Sequence, residues 1–140
     1  MKAQDGWGAA SNDLQRGGLK AERDAAVCAA IPNLQATDWT GVIRTIDANG
    51  EGKGVITIEV AENVQIKTWN NAFSDIMDET LVDPASPVFT AALQKAEGDV
   101  VTFSGEFIRG EDAGCVRESS LTLSGAVQDP QFIFRFSGLR

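Results

Sequence analysis

The chain has 140 residues, 43% of them hydrophobic, and a formal net charge of −8 from 12 Lys and Arg against 20 Asp and Glu. That size and composition suit one domain with a real core, and the acidic balance repels phosphate backbones, which argues against nucleic acid as the main partner. The chain contains no histidine, so Ser-His-Asp and Cys-His catalysis, histidine zinc sites and a histidine pH switch are excluded.

No apolar run approaches the roughly 18–20 residues needed to span a bilayer. The segment Met1–Gly8 has no apolar leader core, and a leader or membrane anchor removed ahead of it stays open. Residues 1–18 are rich in Gly, Ala, Ser and Asn without periodicity, and are expected to form a flexible tail. Leu19–Ile31 has high helix propensity and is stopped by Pro32. Its apolar stripe, Val27, Cys28 and Ile31, is narrow, so the helix needs a domain to dock on. Asn33–Asp38 reads as a linker. The helix and linker therefore occupy 19–37, ahead of a β domain over 38–140.

Three strand-like segments follow: Trp39–Asp47, Gly54–Val60 and Val64–Trp69. A Gly-dense connection joins the first two, and Ala61-Glu62-Asn63 turns the second into the third as an antiparallel pair. Asn70–Pro87 is a long acidic connection with room for one helical turn around Phe73–Met77. Ser86-Pro87 then caps a short helix over Pro87–Ala96. Gly98-Asp99 is turn chemistry, after which Val101, Phe103, Gly105 and Phe107 alternate with polar residues as a strand with one buried face. Arg109–Glu118 is a polar loop carrying Cys115, and Ser120–Gly125 alternates weakly. The last strand places Phe132, Phe134 and Phe136 on one face, with Ile133 and Arg135 on the other.

Strand, strand, strand, helix, strand, strand is the order of an OB-fold. The expected class is all-β with minor α: a five-stranded OB-like β-barrel with one internal helix and an N-terminal helix packed on it. The set Trp39-Thr40-Gly41-Val42, Gly52-Lys53-Gly54-Val55, Lys67-Thr68-Trp69-Asn70-Asn71, Gly98-Asp99-Val100-Val101, Phe103-Ser104-Gly105, Glu118-Ser119-Ser120-Leu121-Thr122 and Phe132–Phe136 also resembles a group of uncharacterised bacterial proteins. These are OB-fold domains similar to the tRNA-anticodon-binding-like class, often preceded by a helix and sometimes by a membrane anchor. The resemblance covers about residues 20–138. It implies a fold and supplies no catalytic residue or ligand.

The residues themselves offer little chemistry. Asp47–Gly52 imitates the start of a calcium loop, but the twelfth position is Ile58 and the segment after it reads as strand, so a solvated hairpin is expected. Asp75, Asp78, Glu79 and Asp83 form an acidic run that reads more simply as an exposed charged loop than as a catalytic or metal cluster. No catalytic residue, metal site or cofactor is assigned. Cys28 and Cys115 are the only cysteines. In a reducing cytosol they would stay thiols, but a Cys28–Cys115 disulfide is expected, since in an oxidising compartment they are the sole intrachain pair and the bond would staple a marginal helix to the barrel.

Lys67, Trp69, Asn70 and Asn71 form the candidate ligand-binding surface. By parity Trp69 shares a face with Gln65 and Lys67, at a barrel rim where OB-folds bind across strands two and three. The competing reading bulges the strand, turns Trp69 inward and leaves Asn70 and Asn71 as turn caps. The expected function is a non-catalytic binding module of the bacterial envelope, periplasmic or anchored, recognising a protein or small molecule. The alternative is a cytosolic single-stranded nucleic-acid binder, and an enzyme ranks last.

Overall fold

Strands with a single apolar face must cover that face, and here they do so by closing on one another. The computed structural model describes residues 13–31, 33–110, 115–119 and 130–140. Its elements are α1 (Asp13–Ala30), β1 (Gln35–Ala48), β2 (Gly54–Ala61), β3 (Val64–Lys67), α2 (Pro87–Ala92), β4 (Val100–Phe107) and β5 (Gln131–Leu139). The strands form a closed barrel in the order β1-β2-β3-β5-β4, with β4 returning to β1. Only β3 and β5 run parallel. This is a five-stranded OB-like barrel with minor α, and α2 sits between β3 and β4 as the element order implied.

The parity read from β4 and β5 is the parity of the core. Val101, Phe103 and Phe107 are buried, as are Phe132, Phe134 and Phe136, together with Ile43, Ile56, Ile58 and Ile66 from the first three strands. Ring edges meet ring faces across the barrel: Phe103 and Phe134 lie 5.7 Å apart at 90°, and Phe107 and Phe134 4.9 Å apart at 79°. Gly105 lets β4 approach β5 here. A Cβ at that position would stand 2.1 Å from the Arg135 carbonyl oxygen and 2.6 Å from the Phe134 ring. Ile133, on the opposite parity, is also fully buried but outside the main cluster.

Two boundaries differ from expectation. The helix starts at Asp13 rather than Leu19, because extending a formed helix adds a bond per residue without a new nucleation cost. The first strand starts at Gln35 rather than Trp39, absorbing most of the expected linker. Its extra residues pair with β4, Gln35 opposite Glu106 and Ala36 opposite Gly105, and no local propensity announces that partner. A register shift between Ala36 and Trp39 accommodates left-handed Asp38, whose N–H donates to Ser104 Oγ at 2.9 Å. Trp39 itself is half-buried and packs its ring on Phe103 and Phe107.

One face of the barrel receives α1. Val27 and Ile31 pack on the core cluster, and Cys28 is bonded to Cys115 with the Cα atoms 5.6 Å apart. Arg23 is buried beneath the helix, where it meets Glu118 and lies 5.5 Å over the Phe132 ring. At α2 the expected cap is present: Ser86 Oγ accepts from Phe89 N–H at 3.2 Å with Pro87 next in line. The helix ends at Ala92 rather than Ala96, and Val88 is its buried residue. The weakly alternating stretch Ser120–Gly125 lies outside the described residues.

Candidate functional site

Residues 68–86 connect β3 to α2 with little strand pairing, one antiparallel bridge joining Val82 to Gly54. Side chains supply what a sheet would otherwise provide. β3 stops at Lys67, and buried Thr68 continues its pairing by donating N–H to the Ile56 carbonyl at 3.0 Å. Trp69 then crosses to the far limb of the loop. Its backbone N–H donates to Thr80 Oγ1 at 2.9 Å, and its indole Nε1–H donates to Asp78 Oδ2 at 2.7 Å.

The expectation that the acidic run is an exposed loop needs correcting for half its members. Asp75 and Asp78 are buried, at 7% and 5% exposure, while Glu79 and Asp83 are exposed. The reason is donors gathered around each carboxylate. Asp75 Oδ1 accepts from Thr80 N–H at 2.7 Å and Thr80 Oγ1 at 2.6 Å, and Oδ2 accepts from Leu81 N–H at 2.9 Å. Three hydrogen bonds to the carboxylate offset the cost of taking it out of water. Asp78 lies 3.4 Å from Arg117 Nε. Arg135 on β5 donates to the carbonyls of Asp78 and Glu79 and pairs with Glu106. The loop is therefore riveted to β3, β5 and the segment after β4.

With its polar groups turned inward, the loop turns its apolar ones out. Phe73 is 86% exposed, Ile76 65% and Met77 85%. Sequence reading placed a helical turn here and missed the consequence, although large apolar residues in an acidic connection were the available signal.

The four residues singled out from the sequence divide. Lys67 is half-buried, and desolvation lowers its pKa from the usual lysine value. Trp69 is half-buried and braced to Asp78. Asn70 is exposed. Asn71 is exposed and its Oδ1 accepts from Ser74 N–H at 2.8 Å, capping the turn that leads into Phe73–Met77. Three of them thus lie at the base of the loop whose tip carries the exposed apolar groups.

Two cavities flank the return limb Leu81–Asp83. One, about 210 Å³, is apolar, with walls from Ile46, Ile56, Val82, Phe89, Ala92 and Leu93. The other, about 480 Å³, has Ile76 and Leu81 beside Glu51, Lys53, Glu79 and Asp83. The β1–β2 connection on its rim is a hairpin: Asn49 Oδ1 accepts from the N–H groups of Glu51 and Lys53 at 3.0 and 2.9 Å. Among the described residues no three carboxylates or thiols are gathered as a metal site, and no helix is long and apolar enough to cross a membrane. No family model matches the chain, and no curated protein is significantly similar to it.

Proposed function

We propose that the chain is a non-catalytic binding module of the bacterial envelope that recognises a protein partner through the loop over residues 70–83. The observation that carries this reading is the exposure of Phe73, Ile76 and Met77 together on a backbone held by buried side chains. Exposed apolar groups are ordinary one by one, but three on a fixed tip make a patch of the kind that marks an interface. Burying each contributes about 1.5–3 kcal/mol before ordering costs, and a pre-held loop keeps those costs low. The Cys28–Cys115 bond supports the envelope part of this reading, since such bonds persist in oxidising compartments.

The test is a photoreactive benzophenone side chain in place of Met77, irradiated in the native host. A discrete protein adduct that disappears with Phe73→Ser supports the reading. No adduct, or adducts indifferent to Phe73→Ser, rules it out. Phe73→Ser should leave stability within about 0.5 kcal/mol, since its side chain is outside the core.

A further inference from the structure

The surface beside the exposed tip carries a sign. Ile76 belongs both to the tip and to the wall of the larger cavity, and Leu81 forms the apolar part of that wall. Above them stand Glu51, Glu79 and Asp83, all exposed, with Lys53 as the single cation. None of these three carboxylates forms a salt bridge with a described residue. Asp75, the fourth acid at this cavity, is already spent on the loop's own donors. The arrangement is an apolar floor under unneutralised negative charge, next to three apolar anchors.

We propose that this face takes a protein segment in which a Lys or Arg side chain stands among apolar residues, the apolar residues covering Phe73, Ile76 and Met77 and the cation entering the cavity beside Ile76. The inference rests on the reading of the loop as a docking surface and names the chemistry of what docks there. A long basic side chain fits both parts of the cavity: its methylene stem lies on Ile76 and Leu81 while its head reaches the carboxylates. Arginine adds two-pronged hydrogen bonding to a carboxylate.

Charge also decides against the other occupants. A second copy of the chain would bring the same acids to the same place, and like charges facing each other oppose association. An apolar tip can enter a lipid interface, but anionic membrane surfaces attract basic segments, whereas this tip stands beside Glu51, Glu79 and Asp83 on a chain of net charge −8.

The probes are two synthetic amphipathic helical peptides with identical leucine positions, one with lysine and the other with glutamate at every polar position. Vesicles of phosphatidylcholine, with and without phosphatidylglycerol, are the third probe. Binding is read by amide chemical shifts of the whole labelled chain. The lysine peptide is expected to shift the amides of Lys53, Ile76 and Leu81–Asp83 and to bind at least about tenfold tighter than the glutamate peptide. Glu79→Lys/Asp83→Lys should weaken it by about tenfold or more, and Phe73→Ser/Met77→Ser should weaken both peptides together.

Shifts scattered over the acidic surface and unaffected by Glu79→Lys/Asp83→Lys would overturn the proposal. So would equal binding of the two peptides, or vesicles moving these amides when the lysine peptide does not. If the charge variants are silent while Phe73→Ser still abolishes the benzophenone adduct, the basic preference falls and the docking surface stands. If both sets of variants are silent, both fall.

Discussion

Arg23 on α1 and Glu118, 95 residues further along, meet as a two-pronged ion pair, Nη1 to Oε2 at 3.1 Å and Nη2 to Oε1 at 2.9 Å. The Arg23 side chain is 1% exposed and that of Glu118 16%, with Asp24 2.7 Å from the same guanidinium. Removing one member of such a pair strands the other's charge in a confined site, at a cost of about 3–5 kcal/mol. Arg23→Ala should therefore lose stability on that scale in urea unfolding. Arg23→Met/Asp24→Asn/Glu118→Met, which removes all three charges and nearly keeps volume, should lose clearly less. Equal losses would mean that the pair is not what fastens the helix.

The disulfide fastens the same two segments. Thiol titration of denatured, unreduced protein should find no free cysteine, because Cys28 and Cys115 are bonded. With the two cysteines 87 positions apart in sequence, chain entropy allows a stabilisation of at most about 4–5 kcal/mol. Cys28→Ser/Cys115→Ser should lower the unfolding free energy extrapolated from urea by that amount or less. Alkylation of thiols in intact native cells bears on the compartment: two reactive cysteines there would contradict an envelope location.

Trp69 separates a bracing role from a purely exposed one. Trp69→Phe keeps the ring and deletes the 2.7 Å bond to Asp78, a hydrogen bond to a charged group worth about 1.5–3 kcal/mol. Unfolding should register that loss, and amide exchange at Thr80 and Leu81 should quicken as the loop loosens. An unchanged midpoint would show that the indole bond contributes nothing.

Lys67 supplies a pH signature. Burial holds its pKa below the ordinary value near 10.5. Above the lowered value the folded chain has released this proton while the unfolded chain keeps it, so stability from this group rises with pH up to about 10.5. Below that window the charged, desolvated ammonium is a constant penalty. Lys67→Met should therefore melt higher than the parent at neutral pH, with the advantage shrinking as pH climbs toward 10.5. An advantage that stays flat across alkaline pH would show that desolvation of the charge is not its source.

What the sequence determined by itself was strand parity, a helix cap and the order of the elements. The alternation in Val101–Phe107 and Phe132–Phe136 assigns their inner faces, Ser86-Pro87 marks a helix start, and two lone cysteines admit one pairing. From the order of those pieces a closed five-stranded barrel followed. Tertiary structure alone decided which polar residues go inside. Arg23 is buried because Glu118 meets it from the far end of the chain. Asp78 is buried under Trp69, with Arg135, 57 residues away, holding its carbonyl. Parity put Trp69 on the face of Gln65 and Lys67; its half-burial and its bond to Asp78 come from the fold. Phe73, Ile76 and Met77 face outward only because Asp75, Asp78 and Thr80 turn inward. A local pattern records how apolar residues alternate, but Arg23 is buried against a partner distant in sequence, which only the fold brings into contact.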